Sequence, residues 1–196
     1  MRSFKKLRTE LARALTRDIY DITEGGIYFP RQGVQASGVY IDRVNGGEWQ
    51  ETPNLLVDQG LAHMLSVAFG ATAKPAGYYL ALFSGATAPA ANWTASNFAS
   101  VASEIVSTTE GYTSATRPVW TPPSSTATNS IDNTAAVASL TIATATSLNV
   151  TGTALLTNST RGGTTGVLVS ATKYATTRVF QDADVYDVGY RVSLTV

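Results

Sequence analysis

His63 is the only histidine in the chain, and there is no cysteine. Any chemistry that needs a general base, a thiolate or a zinc ion must therefore be built around one imidazole. His63 lies between Leu61 and Leu65 in a segment of helical periodicity. A lone imidazole there reads as a packing or hydrogen-bonding side chain. A zinc site would have to complete itself with carboxylates alone. A Ser-His-Asp triad would have to recruit this one residue, and no strand–turn–helix nucleophile elbow is present.

The carboxylates offer a second chemistry. Asp182, Asp184 and Asp187 cluster in "QDADVYD", and Ca²⁺ takes about six to eight oxygen ligands. The glycine and the terminal Glu of a twelve-residue calcium loop are missing, so the stretch reads as a solvated turn. The Gly-rich "TRGGTTG" (160–166) lacks the Gly-Lys-Ser/Thr ending of a phosphate loop and opens a strand instead of a helix. Trp49, Trp93 and Trp120 are the raw material for sugar-stacking platforms, but no pattern puts them on one face. These readings lead to an expectation of no enzyme activity, no cofactor and no metal.

Charge narrows the partners. The chain of 196 residues carries 14 Lys+Arg and 14 Asp+Glu, a charged fraction of 14% against about 25% in typical domains. A net charge of zero disfavours a whole-chain attraction to nucleic acid or membrane, and no sequence-specific nucleic-acid partner is expected. From Pro118 to Thr160 the only charged side chain is Asp132, and from Pro75 to Ser103 there is none. Such Thr/Ser/Ala/Val-rich segments suit β-structure packed on something else. No run reaches the ~18 apolar residues of a membrane span. No apolar core of signal-peptide type follows the basic start.

The elements that would position these residues are mostly strands. "ASGVYIDRV" (36–44) alternates, and "NGG" (45–47) is a hairpin signal. "GYYLALFSG" (77–85) is apolar on both faces, as in a strand buried on both sides. "TAAVASLTIAT" (134–144), "TSLNVTGTALLT" (146–157) and "GVLVSATKY" (166–174) are further strands. In "VYDVGYRVSLTV" (185–196) apolar and polar residues alternate, which predicts a strand with one wet face. The strongest helix is predicted over 54–69, with Asn54 as N-cap, Leu61, Leu65, Ala68 and Phe69 as its inner stripe, and Gly70 as its stop.

Residues 2–17 predict a basic amphipathic helix. Phe4, Leu7, Leu11 and Ala14 with Leu15 form its stripe, and Arg13 is among the six basic residues of its other face. It would pack on its own domain, dock on a partner or lie on a membrane surface. The expected fold is mainly β: an antiparallel β-sandwich, jelly-roll-like, with one core helix. The expected boundaries are an N-terminal amphipathic helical arm over 1–20 and a single domain over 21–196.

Five segments, in this order, together resemble small structural proteins of tailed-bacteriophage virions. They are "NLLVDQGLAHML" (54–65), "YYLALFSG" (78–85), "GYTSATRPVWTPP" (111–123), "LLTNSTRGGTTGVLVSA" (155–171) and "DVYDVGYRVSLTV" (184–196). The resemblance implies a virion location and a non-enzymatic role as capsid cement or decoration, or as a neck, collar or tail component. It also implies partners: further copies of the chain, the major capsid protein, or proteins near the neck and portal.

The stretch 110–125 then acquires a role. Pro118 pushes Arg117 into extended backbone, and Pro122-Pro123 removes two donors, so the segment is a stiff edge or crossover. Tyr112, Arg117 and Trp120 have the composition of an interface core, and an intersubunit contact is expected of them. The alternative is that Trp120 plugs the end of the sandwich.

Overall fold

The asparagine-glycine turn at residues 45–47 does what its residue types require. Asn45 and Gly46 take φ values of 50° and 69°, the left-handed pair that closes a tight hairpin. It joins β3 (Gln35–Val44) to β4 (Gln50–Pro53), which pair antiparallel. The structure is a computed structural model that describes residues 21–23, 26–28 and 34–195. The chain divides into two compact units, Met1–Gln35 together with Val196, and Ala36–Thr195. Among the described residues, the first unit holds one small hairpin, β1 (Asp21–Thr23) with β2 (Gly26–Tyr28). The predicted helix over 2–17 lies outside the described residues.

The second unit is an antiparallel β-sandwich. One sheet runs β4-β3-β13-β10-β7, where β7 is Gly111–Tyr112, β10 is Ala138–Ala143 and β13 is Val185–Thr195. A short strand β9 (Ser130–Asp132) pairs with the far half of β13. The other sheet runs β5-β12-β11-β6-β8. Here β5 is Leu55–Leu56, β6 is Tyr78–Phe83, β8 is Val119–Trp120, β11 is Leu148–Leu156 and β12 is Leu168–Phe180. The core between the sheets takes Tyr40, Leu140, Tyr186, Val188 and Tyr190 from the first sheet, and Leu80, Leu82, Leu155, Val169 and Phe180 from the second.

The second sheet is buried on its outer face too, which explains the two-faced apolar pattern of β6. Leu80 and Leu82 point into the sandwich, whereas Ala81 and Phe83 join Trp93, Phe98, Ala154 and Leu156 in a separate outer core. A short helix, Ala95–Val101, covers that outer face. Sequence periodicity over seven residues is too brief to announce it. The Asn97 side chain accepts from the Thr94 N–H at its start, at 2.9 Å. Gln59 Oε1 accepts from both Ala95 N–H and Leu168 N–H, tying the helix to β12.

Two expectations are corrected. The predicted 54–69 helix begins later, at Asp58–Ala68, with Val57 at its N-cap. Leu55 and Leu56 go to the sheet edge, where they pair with Ala171 and Ser170. Asn54 instead donates to Tyr190 Oη at 2.9 Å. The strand β13 does not have one wet face near its start. Asp187 is buried and paired with Arg43 at 2.8 Å, and Gly189 lies under Asn133 and Val137 beside the 3-10 turn Thr134–Ala136.

Candidate functional site

The stretch 110–125 folds inward. β8 is an edge strand, as its prolines require, pairing Trp120 with Tyr78 and Val119 with Tyr79. Its aromatic and cationic side chains nevertheless leave the surface. Trp120 is 8% exposed and its indole Nε1 donates to Tyr190 O at 2.9 Å, across the sandwich. Its ring meets Tyr78 and Tyr190 edge-on, at 5.9 and 5.8 Å between centroids. Tyr112 is fully buried, and burial pushes its phenol up to about 12.

Arg117 is 1% exposed. It makes a two-pronged ion pair with Glu104, both contacts at 2.7 Å, and donates to Asn158 O at 2.8 Å. Tyr112 and Arg117 have no surface to offer a second subunit, and Trp120 keeps only 8% of its own. The expectation of an intersubunit contact at Tyr112, Arg117 and Trp120 meets burial at all three: Trp120 plugs into the sandwich, as in the alternative, and Tyr112 and Arg117 turn inward beside it. The physical reason is the Glu104 carboxylate, invisible to local sequence reading because it sits on the far side of a loop.

A residue that sequence reasoning missed completes this cluster. Arg161, in "TRGGTTG", stacks its guanidinium on the Tyr112 ring at 3.6 Å. It donates to four backbone carbonyls, those of Ile105, Ser107, Tyr112 and Ser114. The Gly-rich turn allows this approach: Gly162 has φ +71° and its N–H donates to Glu104 Oε2 at 3.0 Å. Its role is therefore to lock loops, not to hold a phosphate.

The other chemical candidates disperse. Asp182 accepts from Thr144 N–H, Asp184 from Asn45 and Gln181 N–H, and Asp187 turns to Arg43. Among the described residues no group of three or more His, Asp or Glu could hold a metal ion. Trp93 is in the outer core, Trp120 in the inner one, and Trp49 is exposed under Arg43, so the three tryptophans form no platform. His63 Nε2 lies 3.1 Å from Tyr78 Oη, and burial lowers its pKa.

The surface feature that stands out is the helix Asp58–Ala68. Its apolar stripe faces away from the domain. Leu61 is 40%, Leu65 62% and Phe69 88% exposed, and Ala68 is exposed beside them. The opposite face approaches β12 so closely that a Cβ on Gly60 would fall 2.0 Å from Val169 O. The stripe expected to be the inner one is therefore the outer one. Only a glycine fits where the helix crosses the sheet edge, and that contact fixes its rotation.

Next to this stripe lies a groove of about 470 Å³, walled by Met64 of the helix, Tyr78, Trp120, Pro122 and Pro123, with Tyr190 deeper in. Its aromatic tips are engaged by protein partners, Trp120 by Tyr190 O, Tyr190 by Asn54 and Tyr78 by His63. Lys74 is the one charged side chain in the lining. An apolar surface of this kind binds by area, not by directed hydrogen bonds. Phe4, Leu7, Leu11 and Arg13 lie outside the described residues. Among the described residues no helix is long and apolar enough to cross a membrane.

No protein-family model matches the chain, and no curated protein is significantly similar to it.

Proposed function

We propose that this chain is a non-enzymatic structural subunit of a tailed-phage virion that holds other virion subunits through an apolar docking face. The observation that supports docking is the outward stripe Leu61–Leu65–Phe69 beside the Trp120 groove. Single exposed apolar residues are ordinary, but a helix that turns its whole stripe to water carries a cost that a partner removes. The sandwich suits a passive load-bearing role: Arg117, Arg161 and Arg178 hold loops and strands from within. The virion location rests on the resemblance of the five sequence segments. Capsid cement or decoration is the first reading. A neck, collar or tail component is the second, favoured by the basic amphipathic pattern of residues 2–17.

The test is incorporation into particles. Leu65→Ser removes the middle of the stripe at a position open to solvent. The variant keeps its melting temperature and loses incorporation into purified virions. Quantitative mass spectrometry of wild-type particles then separates a high-copy cement from a low-copy neck or tail part. Full incorporation of Leu65→Ser would refute docking through this face.

A further inference from the structure

The helix Asp58–Ala68 carries an unusual arrangement of charge around its exposed stripe. Asp58 stands at its first turn and Lys74 six residues past its last, in the irregular segment that follows and lines the groove, and every residue between them is uncharged apart from the titratable His63. Both charged side chains are exposed, and among the described residues neither has an ion-pair partner. Leu61, Leu65 and Phe69 form a ridge of four-residue spacing between them, of the kind that packs against a second helix. An acid at one end, a base at the other and an apolar ridge between make a surface complementary to itself when rotated by a two-fold axis.

We infer that a second copy of this chain covers the stripe, in an isologous antiparallel helix pair centred on Leu65. This rests on the docking role of the face proposed above and names its occupant. In that pairing Leu65 meets the partner's Leu65, and Leu61 meets the partner's Phe69. Asp58 of each copy then comes toward the partner's Lys74. Each charge finds the opposite sign at both ends of the helix, and the negative end of one helix dipole lies beside the positive end of the other. A parallel pairing would set Asp58 against the partner's Asp58 and leave Lys74 without its counter-charge. The geometry therefore chooses the antiparallel arrangement.

The absence of cysteine makes the test clean, because an introduced thiol has no competitor. Wild-type protein is expected to sediment as a dimer that dissociates on dilution. Leu65→Glu weakens this by about thirtyfold or more, the loss associated with removing an interface hot spot. Leu65→Cys, at the two-fold axis, oxidises to a covalent dimer. Leu61→Cys alone does not, but a mixture of Leu61→Cys with Phe69→Cys forms the mixed disulfide. Asp58→Lys weakens the dimer by placing two ammonium groups together, and adding Lys74→Asp restores it. The charge pair is a second route to the same answer should Leu65→Glu fold poorly.

A chain that stays monomeric at all concentrations would overturn the inference. So would a dimer indifferent to Leu65→Glu and to the charge exchange. If a monomeric wild type still enters virions and Leu65→Ser does not, the occupant is a subunit of different sequence. The docking reading then stands while the self-pairing falls. If both the dimer and virion entry ignore the stripe, the two fall together.

Discussion

Arg117 and Glu104 are joined by two contacts of 2.7 Å with both side chains shut off from water. The pair does not stand alone. Glu104 Oε2 also accepts from Gly162 N–H, and Arg117 also donates to Asn158 O. Removing one partner leaves an uncompensated charge in the interior, at a cost of about 3–5 kcal/mol. Arg117→Ala is expected to lose that much in urea unfolding. The double variant Arg117→Met with Glu104→Leu recovers part of it. Recovery is incomplete because the Gly162 donor and the Asn158 acceptor then lack partners. A double variant as stable as wild type would show that those backbone contacts contribute nothing.

Trp120 tests where the proline-bounded stretch belongs. Its indole is packed between Tyr78 and Tyr190 and bonded to Tyr190 O. Trp120→Ala is expected to destabilise the isolated subunit by about 3–5 kcal/mol, by loss of buried area and the cavity left behind. The subunit therefore melts early before any assembly is formed. Trp120→Phe keeps most of the area and leaves the Tyr190 carbonyl unpaired, so it falls between the two. A Trp120→Ala subunit with a wild-type melting curve and weakened assembly would return this residue to an interface.

Strand patterns proved legible where each strand's own periodicity set its fate. β6 reads as buried on both sides and is, because Phe83 meets an outer core while Leu82 meets an inner one. The hairpin at Asn45-Gly46 needs only its local φ preferences. The long helix was legible as a helix but not in its facing. A stripe of Leu61, Leu65 and Phe69 looks the same whether it meets a core or a partner. Rotation was decided by Gly60, whose lack of a side chain brings it onto Val169. The arginines were harder still. Arg117 finds Glu104 thirteen residues back, and Arg161 finds its carbonyls more than forty residues away in sequence, and no local pattern encodes either pairing.

His63 gives a pH signature of one group. Burial lowers its pKa below the ordinary value of 6.5, so the unfolded chain takes up a proton before the folded one does. Above the unfolded pKa both states are neutral and the residue makes no pH-dependent contribution. As pH falls through 6.5 toward the lower folded value, stability is lost. No other histidine shares this window. Urea midpoints measured between about pH 7.5 and pH 5.5 should therefore fall in the wild type and stay flatter in His63→Gln. A wild-type midpoint that rises on acidification would mean that the folded state favours the imidazolium, in conflict with burial as the dominant influence.

Arg161 ties together a loop that has little other regular structure. Its two terminal nitrogens serve four carbonyls between Ile105 and Ser114, and its plane lies on the Tyr112 ring. A guanidinium can do this because its donors are fixed in a planar fork. An ammonium keeps the charge but has neither the fork nor the stacking plane. Arg161→Lys is therefore expected to cost about 1–3 kcal/mol, since it strands partly buried acceptors that had a charged donor. The change should be local before it is global. Amide exchange over residues 105–116 quickens, while the central strands β11 and β6 keep their protection. Arg161→Ala loses the ring contact as well and opens the same loop further. If Arg161→Lys exchanges like wild type throughout 105–116, the loop is held by its own turns and by Arg117, and the four carbonyl contacts are not what keeps it closed.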